Sequence, residues 1–149
     1  MKGAKTGTTA LLLVAVAIIW YLEQRQATSN DPAPASSVSS AEIITTAYQQ
    51  RQSDVQVTGT GVVERIFADD TVGSQHQKFL LRLHNGHTLL ISHNIDLAPR
   101  INQLAVGDIV DFNGEYEWNP QGGVVHWTHH DPAGRHEDGW LRHQGAYYQ

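Results

Sequence analysis

Residues 79–93 read FLLRLHNGHTLLISH, which is two apolar segments on either side of Asn85-Gly86. A two-residue Asn-Gly connection is the strongest short-range hairpin signal, because a type I′ turn needs positive φ at both of its central positions. The stretch therefore predicts a β-hairpin in which Leu83 faces Thr88.

That register divides the hairpin into two faces. The first face, which we assign to the core, carries Phe79, Leu81, Leu83 and Leu90. The second face carries Leu80, Arg82, His84, His87, Leu89, Ile91 and His93. Because the second face is too apolar to stand fully in water, we expect another part of the chain to cover some of it.

Three more strands are predicted around the hairpin. Residues 55–63 (VQVTGTGVV) alternate and then change phase, which is typical of a long, bulged strand with glycines. Residues 109–118 (IVDFNGEYEW) alternate apolar and polar side chains, which predicts that Glu115 and Glu117 face outward. Residues 124–130 (VVHWTHH) form the last predicted strand.

A short helix is predicted between the third and fourth strands. Residues 96–105 (DLAPRINQLA) place Leu97, Ile101 and Leu104 at helical spacing, with Asp96 as the N-cap. The element order then predicts a mainly β fold, a small five-stranded OB-like Greek-key barrel. A small sandwich or an SH3-like barrel is the alternative.

The N-terminus has the pattern of an export signal. Residues 8–22 (TTALLLVAVAIIWYL) carry no charge and follow Lys2 and Lys5. No small-x-small cleavage site follows closely, so we predict an uncleaved membrane-anchor helix with a cytoplasmic N-terminus. This predicts a single-pass protein of the inner membrane with a periplasmic C-terminal domain; secretion to the periplasm after cleavage is the alternative.

The chain divides into three predicted parts. Residues 1–22 form the signal anchor, and residues 23–53 form a flexible linker that contains a short helix near residues 41–51. Residues 54–149 form the OB-like barrel domain with a C-terminal tail.

Composition excludes several classes of site. The 149 residues include no cysteine, which excludes disulfides, thiolate metal sites and cysteine nucleophiles. Ten basic and fifteen acidic side chains give a formal charge of −5, so strong nonspecific binding to nucleic acid is not expected.

Histidines carry the clearest chemical signal. All nine lie between His76 and His143, and they are densest in residues 126–143 (HWTHHDPAGRHEDGWLRH). Imidazoles and carboxylates suit zinc and other divalent first-row ions. The turn at Asp131-Pro132 predicts a metal site, with zinc as the favoured ion, made by His129, His130, Asp131, His136 and His93.

Other roles are open for the same segments. Asp131 and His136 are the candidates for catalytic residues, and Asp131 can instead orient an imidazole that binds the ion. A purely structural loop, in which Asp131 and the imidazoles satisfy backbone groups, is the main alternative. The loop between the first two strands borders the binding face in OB-folds, so Asp69, Asp70 and His76, with His126, are predicted ligand-binding residues.

Several motifs resemble an uncharacterised bacterial family, a domain of unknown function found in short exported or membrane-anchored proteins. The motifs are Asp69-Asp70-x-x-Gly73-x-x-His76-Gln77-x-Phe79, residues 93–100 (HNIDLAPR), Gly107-Asp108, residues 126–132 (HWTHHDP) and Gly139-Trp140-Leu141. The resemblance implies export and a Gram-negative host, and it implies no particular activity.

Together these patterns predict a membrane-tethered periplasmic binding module with a histidine-rich pocket for a divalent metal or a small anionic ligand. The alternatives are a metal-dependent periplasmic hydrolase of the phosphodiesterase or nuclease kind, in which the ion activates water, and an envelope protein-interaction domain without chemistry. The expected partners are the inner membrane and either a small ligand or an envelope protein.

Overall fold

The structure, a computed structural model, describes residues 39–149. The predicted anchor at residues 1–22 lies outside the described residues, as does most of the predicted linker. Within residues 39–149, no helix combines the length and apolar character needed to cross a membrane.

The described part of the chain contains one α-helix followed by seven strands. The helix α1 spans Ser40–Gln50. The strands are β1 (Val55–Ile66), β2 (His76–Leu83), β3 (Thr88–Asn94), β4 (Ile109–Glu117), β5 (Val124–His126), β6 (Trp140–His143) and β7 (Ala146–Tyr148).

Five of the strands close into a barrel. The hydrogen-bonded order is β1-β2-β3-β5-β4, and β4 pairs with β1 to close the ring. All of these pairs are antiparallel except β3–β5, which is parallel. The fold is therefore mainly β, and it is compatible with the predicted OB-like Greek-key barrel. Strands β6 and β7 extend the sheet outward from β4.

Strand β1 is long because it pairs with two other strands. Its first part, from Val55 to Val62, pairs with β4, and its second part, from Gly61 to Ile66, pairs with β2. The register shifts between Val63 and Arg65, which confirms the predicted bulge.

Helix α1 packs against the barrel with one face. Ser39 caps its N-terminus, and the Glu42 side chain returns a bond to the Ser39 backbone N–H in a complete capping box. Ala41, Ile44 and Ala47 are buried in the same apolar core as the strands. Spacing of three residues places these side chains on one side of the helix.

The predicted hairpin register is wrong by one residue. Gly86 is the residue of the Asn85-Gly86 pair with positive φ, and its N–H donates to the Leu83 carbonyl at 3.0 Å. The loop therefore has three residues, 84–86, and Arg82 faces Thr88. Because side chains alternate along a strand, a shift of one residue moves each β3 side chain to the opposite face of the sheet from the one predicted. Its buried side chains are Leu89, Ile91 and His93, and Leu90 is only partly buried.

The predicted helix at residues 96–105 does not form. This segment consists of turns and irregular backbone. Pro99 lacks an N–H and disfavours helical geometry in the residue before it. Asp96 accepts a bond from the Gln75 N–H at 2.8 Å rather than capping a helix.

The last predicted strand is shorter than expected. Strand β5 ends at His126, not at His130. Trp127 has a φ of +52°, a left-handed conformation that a strand cannot continue through. The chain turns there, and this turn positions the side chains of the candidate site.

Candidate functional site

The candidate site lies where β4 and β5 run side by side. Glu115 on β4 is directly opposite His126 on β5. Glu117 is two residues along β4 from Glu115, and alternate residues of a strand share a face. All three side chains are partly buried on that face.

Two carboxylates converge on one imidazole. His126 Nε2 lies 3.4 Å from Glu115 Oε1 and 3.9 Å from Glu117 Oε1. Among residues 39–149, these three form the one group of three or more histidine and carboxylate side chains whose ligand atoms lie within 4.8 Å of one another. His126 Nε2 is buried and has no hydrogen-bond partner. A buried polar atom without a partner is unfavourable, so this nitrogen is set up to gain one.

His136 forms a hydrogen bond with Oε2, the second carboxylate oxygen of Glu115. Its Nε2 donates to Glu115 Oε2 at 2.8 Å, and its Nδ1 donates to the Glu137 carbonyl at 2.8 Å. Two acceptors around one ring favour the doubly protonated imidazolium. Burial lowers the pKa of His136, but the hydrogen bonds to Glu137 and Glu115 outweigh it and raise that pKa above its ordinary value.

The Trp127 ring lies next to the imidazoles of His126 and His136. It stacks on His136 with centroids 4.2 Å apart and an interplanar angle of 7°. Position 139 must be glycine for the backbone to lie this close to Trp127, because a Cβ at Gly139 would lie 1.9 Å from the Trp127 carbonyl oxygen. A glycine at that position permits the close approach of two backbone segments.

Asp131 organises the loop that carries His136. Its Oδ1 accepts from the Ala133 N–H at 2.9 Å, and its Oδ2 accepts from the N–H groups of Arg135 and His136 at 2.7 and 2.9 Å. These backbone hydrogen bonds lower the pKa of Asp131. This arrangement matches the main alternative given by the sequence analysis, a structural loop in which Asp131 satisfies backbone groups.

The five predicted metal ligands point to different partners. His130 Nδ1 lies 3.0 Å from Asp138 Oδ2 on the exposed surface, and the His129 Nδ1 donates to the His130 carbonyl at 2.7 Å. His93 is buried in the core, where the Thr128 hydroxyl donates to Nδ1 and Nε2 donates to the Pro99 carbonyl. Of the five, His136 is the residue that reaches the Glu115 carboxylate.

The predicted ligand-binding residues fall into two groups. Asp69 pairs with Arg100 at 2.7 Å, which ties the loop to the irregular segment after β3, and Asp70 pairs with Lys78 on β2 at 2.7 Å. His76, in contrast, lines a cleft together with His126.

Residues 29–149 match a protein family described as "Protein of unknown function (DUF3465)". The chain belongs to this family. Among curated proteins, none matches the chain. The family match confirms the resemblance to an uncharacterised family that the sequence motifs indicated.

Sequence reasoning missed both carboxylates of the site in this DUF3465 chain. The alternation of residues 109–118 placed Glu115 and Glu117 on the outer face, and nothing in that strand alone pairs them with a histidine. The signal lies in the turn at residues 119–123 (NPQGG), which makes β4 and β5 antiparallel neighbours. Counting back through that turn brings His126 beside Glu115.

Proposed function

We propose that this chain is a binding domain that takes a divalent transition-metal ion, zinc above all, at Glu115, Glu117 and His126. The observation that carries the proposal is the His126 Nε2 atom, which is buried, lacks a hydrogen-bond partner and lies within 4 Å of both carboxylates. An ion between these atoms supplies the partner that the imidazole lacks.

The chemistry of the donors favours a cation over the predicted small anion. Two carboxylates and one imidazole are a nitrogen and oxygen set that suits zinc and related divalent ions. The two negative charges next to His126 repel an anionic ligand in the same place. Three protein ligands leave one position of a tetrahedral ion for water or another ligand.

His136 supports this site from the side. Its hydrogen bond to Oε2 fixes the orientation of the Glu115 carboxylate and leaves Oε1 directed at His126. Hydrogen bonds to a ligating group from outside the coordination sphere typically tune metal affinity by 10- to 100-fold. His136 is thus a positioning residue for the proposed site.

The geometry favours binding over the hydrolase alternative. A hydrolase needs a general base near the ion, and the sequence offered Asp131 and His136 for that role. The two ring nitrogens of His136 are engaged by Glu115 and by the Glu137 carbonyl, so neither is free to accept a proton from water. The Asp131 carboxylate accepts three backbone N–H bonds that lower its pKa, which makes it a weak base. We therefore propose a binding domain without proposing a reaction.

Titration calorimetry with zinc tests the proposed site in the purified full-length chain. We expect one ion per chain for the wild type and a loss of affinity of at least about tenfold in Glu117→Gln, because a ligand has been removed. Glu137→Gln is the matched control, since Glu137 is an exposed carboxylate whose side chain lies outside the site. Equal affinities for the wild type and both variants would overturn the proposal.

We also propose the location that the N-terminal pattern predicts, an inner-membrane anchor with the domain in the periplasm. What supports it is the uncharged stretch at residues 8–22 after Lys2 and Lys5. A reporter that is active only in the periplasm, fused to the C-terminus, tests it together with membrane fractionation. Reporter activity in the soluble periplasmic fraction would favour the cleaved alternative, and an inactive cytoplasmic fusion would refute both.

A further inference from the structure

We propose that a second site, which borders the Glu115–Glu117–His126 cluster and shares His126 with it, binds a small uncharged ligand that carries several hydroxyl groups. The site is a cleft of about 230 Å³ between the ends of β3 and β5. Its lining residues are His76, Ser92, Asn94, Leu97, His126, Trp127 and His129. We call it the histidine cleft.

The cleft exists because two strands separate. Strand β5 pairs with β3 through Val124 and Val125 only. Trp127 then turns the chain away, whereas β3 continues to Asn94, which pairs with His76 on β2. The cleft is therefore bordered by β2 and β3 on one side and by the turn at residues 127–129 on the other.

Two of the three imidazoles that line the cleft, those of His76 and His129, have Nδ1 beside a backbone carbonyl. His76 Nδ1 lies 2.8 Å from the Ser74 carbonyl, and His129 Nδ1 lies 2.7 Å from the His130 carbonyl. A carbonyl oxygen only accepts, so each Nδ1 carries a proton. In the neutral ring Nε2 is then the acceptor, and it is the nitrogen left for a ligand. Two such acceptors select a ligand with hydrogen-bond donors.

The rest of the lining selects against charge. Lysine, arginine, aspartate and glutamate are missing from the residues that line the cleft in the described part of the chain. Trp127 and Leu97 add apolar surface, and Asn94 adds an amide. An aromatic ring beside several polar groups is a surface suited to a sugar-like molecule, which has apolar C–H faces and hydroxyl edges.

The volume limits the size of the ligand. The cleft, at about 230 Å³, is small for a ligand site. Pockets for drug-sized ligands start at about 300 Å³. A single sugar ring or a smaller polyol fits this space.

His93 lies near the cleft but is buried in the core and is not among the residues that line the cleft. Both of its ring nitrogens are engaged inside the core, by Thr128 and by Pro99. Burial lowers the pKa of His93 to about 4, and the nearby His129 and His76 contribute in the same direction. The neutral His93 ring therefore adds no charge to the cleft at neutral pH.

The test uses the full-length chain with ¹⁵N-labelled histidine side chains, kept free of metal with a chelator. Glucose, N-acetylglucosamine and glycerol are added in separate NMR titrations. We expect at least one of them to produce a saturable shift at Nε2 of His76 and His129. His76→Ala should weaken that binding about fivefold to tenfold, the effect of losing one hydrogen bond. His130→Ala, an exposed histidine outside the cleft, should leave it unchanged.

A second variant keeps the test independent of His76. Leu97 is half exposed at the rim, so Leu97→Trp should fill the cleft and abolish binding without disturbing the core. No saturable shift with any of the three compounds, or equal shifts in the wild type and Leu97→Trp, would overturn the proposal. Zinc binding at Nε2 of both His76 and His129 in a chelator-free sample would also overturn it, because these two atoms would then be metal ligands rather than acceptors for hydroxyl groups. Because the titrations are done without metal, their failure leaves the proposed metal site untouched.

Discussion

The side-chain amide of Gln77 forms two hydrogen bonds with the backbone of Ile101. Gln77 Nε2 donates to the Ile101 carbonyl at 2.9 Å, and the Ile101 N–H donates to Gln77 Oε1 at 2.9 Å. Both residues are fully buried. An irregular segment can lie inside the fold only if its backbone groups are satisfied, and Gln77 satisfies them.

We predict that Gln77→Ala destabilises the fold by about 2–4 kcal/mol. The change leaves a buried N–H and a buried carbonyl at Ile101 without partners, each at a cost of about 1–3 kcal/mol. Urea unfolding measures the loss. Gln75→Ala is the control, because Gln75 is exposed and its backbone N–H, not its side chain, contacts Asp96. A loss within about 0.5 kcal/mol for Gln77→Ala would mean that water replaces the amide.

The same contact explains why one element could not be predicted from the sequence. Residues 96–105 have helical spacing, and spacing describes only the local pattern. The competing interaction comes from Gln77, which is more than twenty residues away along the chain. The strands were more predictable, since alternation and turns are local. The positions of the five barrel strands were found, whereas β6 and β7 lie in the segment that was predicted only as a C-terminal tail. The register of β3 depended on which turn Gly86 adopts.

For the candidate site too, local sequence predicted some residues, and residues that depend on long-range pairing were missed. The histidine-rich segment was found from composition, and His126 and His136 belong to the site. Glu115 and Glu117 were missed because their role depends on pairing between β4 and β5. His93 was chosen as a ligand from a register that was one residue wrong, so a residue assigned to the covered outer face lies in the core.

Acid should destabilise the protein partly through His93. Burial lowers the folded-state pKa of His93 to about 4, below the ordinary value of 6.5. The unfolded chain then binds a proton that the folded chain does not, so the stabilisation is complete above pH 6.5 and is lost as the pH falls towards 4. Between pH 7.5 and pH 4.5 this one group should cost about 2–3 kcal/mol.

The comparison of wild type with His93→Gln isolates that effect. Carboxylates with lowered pKa values, such as Asp70 and Asp131, also lose stabilisation in acid, but they do so equally in both proteins. We expect a shallower dependence of unfolding free energy on pH in His93→Gln. Parallel curves for the two proteins would show that His93 is not held neutral by burial.

Two glycines with positive φ should respond differently to alanine. Gly123 has a φ of +96°, and a Cβ there would lie 2.1 Å from the Tyr116 ring. Gly145 has a φ of +83° and open space around it. Gly145→Ala should therefore cost only the backbone strain, about 1–2 kcal/mol. Gly123→Ala should cost at least about 2 kcal/mol more, and equal losses in thermal melts would contradict this packing.

The Phe112 side chain should be one of the larger single contributors to the core. It is fully buried, and its ring packs against Gly59 on β1, where a Cβ would lie 2.6 Å from the ring. Phe112→Ala should cost about 3–5 kcal/mol through the cavity that it leaves. Ile109→Ala on the same strand should cost within about 0.5 kcal/mol, since Ile109 is mostly exposed. Similar losses for both variants in denaturant unfolding would refute the assigned strand faces.

Anomalous diffraction at the zinc edge, from crystals grown with one equivalent of zinc, tests the proposed metal site most directly. We predict one strong peak at about 2.0–2.2 Å from a carboxylate oxygen of Glu115, a carboxylate oxygen of Glu117 and Nε2 of His126. Crystals of His126→Ala should lack the peak, whereas crystals of His130→Ala should retain it. A peak at other side chains, or no peak beside an ordered His126, would contradict the account.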